Sequence, residues 1–194
     1  MPTAAPDPSD PASFVPAWLD AADPRRADHP HAVTLEELAD AVVRGSTIVH
    51  TEIPELRDLI EAVQARAEKV GVHPGKVVLR IGANDRVHGR PRLPCMIQSC
   101  NCQGLAVEIN MRSVGATFAG DAGFHRATFA GNAGFHRATF AGHARFHGAR
   151  FAGDAGFDGA RFAGAAGFGE AEFAGDARLH WASFTGDAWV VEAE

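Results

Sequence analysis

The sequence lacks the features of several common protein classes. No apolar run of about eighteen residues occurs among its 194 residues, so we expect no segment that spans a membrane. No basic stretch followed by an apolar one opens the chain, and we expect no signal peptide. The 3 cysteines form no spaced disulfide framework, which favours a reducing cytoplasm. The net charge of −6 is mild and comes without a basic stripe, so we expect no direct binding to nucleic acid.

Known catalytic and cofactor patterns are missing as well. Glycine-rich stretches such as AGDAG are not followed by Lys-Ser or Lys-Thr, so they do not match a phosphate-binding loop. No Ser/His/Asp or Cys/His combination stands out as a catalytic group. We therefore expect a protein that is not an enzyme and binds no cofactor.

The dominant feature of the chain is an aromatic repeat. A large apolar residue returns after alternating steps of 6 and 5 residues, and each one has Ala two positions earlier. A helix would place successive members on different sides, and disordered segments do not keep aromatic residues at fixed spacing. In a strand, by contrast, Ala and the large residue lie on one face. We predict an interior ladder of Phe118, Phe124, Phe129, Phe135, Phe140, Phe146, Phe151, Phe157, Phe162, Phe168, Phe173, Leu179 and Phe184, with Val190 in the last position.

The residues between these triplets predict corners. Gly permits a positive φ, and Asp can bond its own backbone. Ala at i−2 and Phe or Leu at i, repeated about every five residues, resembles the pentapeptide-repeat proteins over residues 116–190. The resemblance implies an all-β solenoid, a right-handed quadrilateral β-helix with both residues pointing inward. Every second unit here has one extra residue, as at Asp121 and Asn132, so we predict widened corners and coils of 22 residues.

Two amphipathic helices are predicted before the repeat. The first begins at a capping box, Thr34 to Glu37, and is ended by Gly45. The second begins near Pro54, a residue suited to a first helical turn, and is ended by Gly71. They either form a small α-helical cap over the open end of the solenoid or a separate domain on a linker. The predicted parts are a disordered segment over 1–31, the two-helix cap over 32–75, irregular first coils over 76–115 and the regular β-helix over 116–194.

Outward histidines stack in columns if a coil has 22 residues. His125 and His147 share one column, and His136, Asp158 and His180 share another. Either column could hold zinc, or the positions could simply tolerate solvent. We favour the second interpretation, because a ladder open to water supplies only two or three ligands.

Two other metal hypotheses are weaker than their structural alternatives. Cys95, Cys100 and Cys102 contain no C-x-x-C pair, and small buried hydrophobic roles suit them better. Carboxylates at the widened corners occur once per 11 residues, too sparsely for calcium, which takes six to eight oxygens. We therefore predict no metal site.

The C-terminal coils carry a candidate interface. Trp181 and Trp189 fall at outward positions, and Val191 lies just beyond the last repeat. Exposed aromatic residues at a solenoid end indicate an interface or simply a degenerate last repeat. The resemblance also implies end-to-end homodimers through C-terminal coils, although like charges in residues 192–194 oppose such a contact.

The sequence predicts a non-enzymatic β-helical scaffold for a protein partner that it does not identify. Two alternatives stay open, and the first of them is implied by the resemblance. One is an acidic DNA mimic that modulates a type II topoisomerase such as gyrase, but this needs a dense negative face, and six arginines between residues 126 and 178 interrupt the surface. The other is a soluble part or relative of a longer membrane-associated pentapeptide-repeat protein.

Overall fold

A computed structural model describes residues 16–189 except residues 21, 30, 31, 50 and 83–94. Two α-helices, α1 (Leu35–Val43) and α2 (Leu56–Lys69), precede most of the strands. Short 3-10 helices occupy Pro24–Ala27 and Pro74–Lys76. The strands are β1 (Thr47–Ile48), β2 (Glu52–Glu55), β3 (Val78–Ile81), β4 (Met96–Asn101), β5 (Ala106–Val107), β6 (Asn110–Ser113), β7 (Thr117–Phe118), β8 (Ala122–Gly123), β9 (Thr128–Phe129), β10 (Ala133–Gly134), β11 (Thr139–Phe140), β12 (Ala144–Arg145), β13 (Arg150–Phe151), β14 (Ala155–Gly156), β15 (Arg161–Phe162), β16 (Ala166–Gly167), β17 (Glu172–Phe173), β18 (Ala177–Arg178), β19 (Ser183–Phe184) and β20 (Ala188–Trp189).

The strands stack in parallel ladders on four faces. Face 1 contains β1, β3, β6, β10, β14 and β18. Face 2 contains β2, β4, β7, β11, β15 and β19, and β4 continues onto face 3, which holds β8, β12, β16 and β20. Face 4 contains β5, β9, β13 and β17. In the repeat each strand pairs with the strand 22 residues away, as Phe118 does with Phe140, so the predicted all-β solenoid and its coil length are confirmed.

The interior of the solenoid is a set of stacked phenylalanine columns. All nine phenylalanines from residue 118 to 162 are at most 1% exposed. Phe118 stacks on Phe140 with ring centroids 4.6 Å apart, and Phe135 stacks on Phe157 at 5.1 Å. These separations match the spacing of hydrogen-bonded strands, so the backbone ladder sets the distance between rings.

The widened corners contain a hydrogen-bond ladder that the sequence analysis did not predict. The backbone N–H of His143 donates to Oδ1 of Asp121 (2.9 Å), and the N–H of Asp154 donates to Oδ1 of Asn132 (3.0 Å). The expectation that Asp bonds its own backbone is therefore wrong at Asp121, where the acceptor serves the next coil. The glycine before each corner residue is also required, since a Cβ on Gly142 would lie 2.7 Å from backbone of the preceding coil.

The first helix forms as predicted, and the second begins later. Oγ1 of Thr34 accepts from the N–H of Glu37, while Glu37 accepts from the N–H of Thr34, which completes the capping box. The predicted second helix forms from Leu56, but the expected place of Pro54 in its first turn is wrong, because Pro54 lies in β2 and Glu55 caps the helix. Pro54 lacks an N–H, and it is the residue of β2 without a partner in the register with β4.

Residues 1–15 of the N-terminal segment lie outside the described residues, but the part from Pro16 onward packs against the rest of the chain. We expected disorder over 1–31, yet Pro16 forms a parallel bridge with Glu52, and Trp18 and Leu19 are buried. Arg26 donates to the carbonyl of Leu19 at 2.6 Å, which ties the short 3-10 helix to this segment. Apolar burial and backbone pairing therefore fix the described part of the segment against β2.

Helix α2 lies against the first coil. Gln64 donates from Nε2 to the carbonyl of Ala106 (3.1 Å) and accepts on Oε1 from the N–H of Glu108 (2.7 Å). Strand β5 ends the face 4 ladder, so this amide takes the position that a preceding strand would occupy. Glu55 similarly accepts from the N–H of Asn101. The apolar side of α2 belongs to the same core cluster as the phenylalanine ladder.

Candidate protein-interaction surface

The last described coil, β17 to β20, exposes unpaired strand edges. Each of these strands ends its ladder, with one neighbour on the N-terminal side and none on the other among the described residues. Backbone N–H and C=O groups at such an edge require water or another strand as a partner. We call this coil, residues 172–189, the terminal coil.

Three residues of the predicted interior ladder are exposed at the terminal coil. Phe173 and Phe184 are each 36% exposed and Leu179 is 40% exposed, so the prediction of a fully buried ladder is wrong for them. Their inner sides are packed: Phe173 stacks on Phe151 at 4.9 Å and Phe184 on Phe162 at 4.7 Å. Within the described part of the chain no further coil covers their outer sides. The terminal coil therefore presents an apolar cross-section of the core.

Trp181 occupies a strained corner of the terminal coil. Its φ is 56°, in the left-handed region, and it is 91% exposed. The equivalent corner one coil earlier is Gly159, with φ 66°. A bulky residue in this conformation is unusual, and such strain clusters at functional positions. The strain and the exposure together make Trp181 a candidate contact residue.

Trp189 borders a shallow trough on face 3. It is 59% exposed and pairs in register with Gly167, which leaves the floor beneath it open. The trough has a volume of about 480 Å³, and His147 and Glu170 form part of its wall. His147 lies 3.4 Å from the Glu170 carboxylate. Val191, the third predicted interface residue, lies outside the described residues.

Charges around the terminal coil occur as neighbouring pairs. Arg178 contacts Asp176 at 3.1 Å and Asp154 at 3.9 Å. The hydrogen bond from Arg178 to Asp176 raises the pKa of the guanidinium further above its usual value. Arg150 and Glu172, on adjacent coils of face 4, lie 3.2 Å apart. Exposed pairs like these add little stability, but they place charges of both signs beside each other near the apolar end.

The histidine columns form as the coil length predicts. His125 stacks on His147 with ring centroids 5.1 Å apart. Asp158 lies between His136 and His180, at 3.5 Å and 3.2 Å from their Nδ1 atoms. Among residues that the structure describes, no cluster of His, Cys, Asp or Glu has the arrangement needed to hold a metal ion. The zinc hypothesis therefore gains no support from either column.

The cysteines lie inside the first coil. Cys95, Cys100 and Cys102 are all buried, and Sγ of Cys95 donates to the carbonyl of Ile48 at 3.2 Å. Sγ of Cys100 lies 3.9 Å from Sγ of Cys102, and burial raises the pKa of the Cys100 thiol. A raised pKa disfavours the thiolate, which is the reactive form.

Comparison with known proteins agrees with this geometry. Residues 114–161 match the family model for pentapeptide repeats. The chain carries pentapeptide repeats. The matched residues begin directly after β6, reach β15 and stop before the terminal coil. No curated protein and no solved structure gave a significant match. No helix within the described residues of this pentapeptide-repeat chain has the length and apolarity to cross a membrane.

Proposed function

We propose that the protein is a non-enzymatic pentapeptide-repeat scaffold that binds a protein through its terminal coil. The observation that carries this proposal is the exposure of Phe173, Leu179 and Phe184 beside unpaired strand edges. Water satisfies backbone edges but not apolar side chains, so covering this surface would release a substantial hydrophobic free energy. Trp181 and Trp189 add the large aromatic area that is enriched at interface hot spots.

We propose a second copy of this chain as the occupant. Two terminal coils related by a twofold axis would bring the same apolar cross-section of each copy together, and twofold dimers are the commonest assembly. Their facing edges would also supply backbone partners to each other. Arg178 beside Asp176 gives each end charges of both signs, which favours this self-complementary contact, whereas the like charges of residues 192–194 oppose it.

The surface favours a scaffold over a DNA mimic. Arg145 pairs with Asp121 at 2.8 Å, and Arg150 pairs with Glu172. Side chains that alternate in sign do not form the continuous negative face that would compete for a basic DNA groove. We therefore do not propose binding to a topoisomerase.

We also propose that residues 32–75 cap the N-terminal end of the solenoid. The Gln64 amide replaces the strand that β5 lacks, with bonds to Ala106 and Glu108. Five residues of α2 are buried, and α2 also contacts β4. A cap of this kind protects one edge and leaves the terminal coil as the open one.

The experiment is sedimentation velocity across a concentration series, with the wild type compared with Trp189→Asp and Trp181→Gly. Trp181→Gly removes the indole but places glycine, which readily adopts a positive φ, at this corner. A loss of association in this variant is therefore not a folding defect. Arg126→Gly is the matched control, because Arg126 has the same left-handed conformation (φ 54°) but lies far from the terminal coil.

We expect a concentration-dependent dimer for the wild type and for Arg126→Gly. We expect a dissociation constant at least about tenfold higher for both tryptophan variants, which corresponds to about 1.4 kcal/mol. A wild type that stays monomeric at tens of micromolar, or a dimer that neither tryptophan substitution weakens, would contradict the proposal.

A further inference from the structure

A basic cavity lies along face 1, from Thr47 on β1 to Asp158 in the corner after β14. Its volume is about 480 Å³. Two neighbouring strands, β3 and β6, place Arg80 and Arg112 side by side on its wall, in direct register. Thr47, on β1, follows in the same column, and its hydroxyl is a further donor. We call this feature the arginine cavity.

Among the residues that the structure describes, Arg80 and Arg112 have no acidic partner. In parallel register their Cα atoms lie about 4.8 Å apart, so two positive charges project from neighbouring positions. Within the described ranges, no carboxylate lies at ion-pair distance from either guanidinium. The next residues in the column, Gly134 and Gly156, carry no charge. Like charges directly beside each other are destabilising, so this pair calls for an anion.

A third arginine at the cavity has a guanidinium nitrogen without a partner in the described part of the chain. Nη1 of Arg137 is buried and makes no hydrogen bond within the described part of the chain. Its backbone is in the left-handed region, with φ 55°, where glycine occurs in other coils. A buried donor without an acceptor carries a desolvation cost and points to a missing ligand or solvent molecule. Arg137 therefore gives a second, independent reason to expect an acceptor here.

Asp158, the one carboxylate among the described residues that line the cavity, is already engaged. Asp158 accepts from the backbone N–H of His180 at 3.1 Å and contacts the His180 ring. It also lies 3.5 Å from Nδ1 of His136. The ring of His136 lies across the glycine floor, where a Cβ on Gly156 would come within 2.5 Å of it. One shared carboxylate cannot balance three guanidinium groups.

We propose that the arginine cavity binds a phosphate-type dianion. Guanidinium groups present paired N–H donors that match phosphate oxygens, and they bind such groups in a bidentate manner. Arg80 and Arg112 supply two such forks, and Arg137 and Thr47 supply further donors. The anion would remove the repulsion between the arginines and give the buried Nη1 an acceptor.

The full chain is titrated with inorganic phosphate and, separately, with O-phosphoserine. Calorimetry measures the affinity, and thermal melting measures the change in stability. Chloride at equal ionic strength is the salt control. The two phosphates distinguish a free anion from a phosphomonoester, and binding of either supports the proposal. The variants are Arg80→Gln and Arg112→Gln. The matched control is Arg161→Gln, an exposed arginine of face 2 without an ion-pair partner in the described chain.

We expect phosphate to raise the melting temperature of the wild type and of Arg161→Gln beyond the effect of chloride. We expect affinity to fall at least about tenfold in both cavity variants. In phosphate-free buffer, Arg112→Gln should melt at or above the wild-type temperature, because the substitution removes the repulsion. This result also shows that the variant is folded. Equal responses to phosphate and chloride, or an equal loss in Arg161→Gln, would overturn the proposal.

Discussion

The interior ladder makes a prediction that depends on position in the stack. Phe146 is completely buried and lies between two parallel rings, Phe124 at 5.0 Å and Phe168 at 4.9 Å. Phe184 carries the same side chain but is 36% exposed and, among the described residues, stacks only on Phe162. The two substitutions Phe146→Ala and Phe184→Ala therefore remove the same atoms from a closed and from an open position.

The expected costs differ because of burial and of the cavity left behind. Phe146→Ala should lower the free energy of unfolding by about 3–5 kcal/mol, the range for a buried phenylalanine whose site does not collapse. Phe184→Ala should cost about 1–2 kcal/mol, since part of the ring is already in water and no enclosed cavity forms.

The assay is unfolding in urea with circular dichroism as the signal, at a protein concentration low enough to keep the chain monomeric. At higher concentration, association through the terminal coil would bury Phe184, so the cost of Phe184→Ala should then increase while that of Phe146→Ala stays constant. Equal costs for the two variants in the monomer would refute the stacked ladder as described here.

Three further predictions concern the corners and the cap. Arg126→Gly and Glu170→Gly should each raise the free energy of unfolding by about 1 kcal/mol in chemical denaturation, because both residues have a positive φ; an unchanged or lower value would show that these corners carry no strain. The hydrogen bond from the backbone N–H of His143 is the largest cause of the lowered pKa of Asp121. The ionised carboxylate therefore stabilises the fold at pH values above its pKa in the unfolded chain, and this stability is lost as the pH falls through its lower pKa in the folded chain. Asp121→Asn keeps an acceptor for this N–H but has no carboxyl to protonate. Its free energy of unfolding should therefore fall less than that of the wild type between about pH 5 and pH 2; an equal fall in both proteins would contradict this account. Ile60→Ala should lower the melting temperature of the whole chain in one cooperative transition, with a cost of about 2–5 kcal/mol; two separate transitions would instead indicate an independent helical domain.

The coil length could be predicted because the sequence repeats it many times. Ala two positions before each Phe specifies which face points inward, and a period of 11 residues fixes a parallel register of 22. The first helix could also be predicted, because the capping box of Thr34 and Glu37 is local in sequence. Both the capping box and the repeat can be identified from the order of residues along the chain, so their prediction needs no knowledge of tertiary contacts.

The features that sequence analysis missed depend on neighbours in space. Pro54 suits a helix start as well as an edge position, and pairing with β4 decides between them. Gln64 has no sequence signal for its role, since its partners lie on β5 and just beyond it. The corner ladder did have a signal: Asp121, Asn132 and other acceptors recur at the extra position, and stacking by 22 residues would have aligned them with the next coil.

The candidate interface was predicted in part. Trp181 and Trp189 stood out because they replace small or charged residues of earlier coils. The strain at Trp181 and the exposure of Phe184 could not be predicted, because the repeat gives the terminal coil the same pattern as the buried coils. Burial depends on what covers a coil, which the pattern does not encode.

Distances between spin labels on two copies test the end-to-end assembly most directly. The native cysteines are buried, so labels can be directed to single cysteines at Asp187, Ala165 and His143, which share one corner column. A twofold contact through the terminal coil predicts that the separation along the solenoid axis grows by about 10 Å for each coil that the label moves back, because both copies add one strand spacing. The shortest distance should therefore occur at Asp187→Cys. Equal distances at all three positions, as in a head-to-tail stack, or no measurable distance between copies would contradict the account.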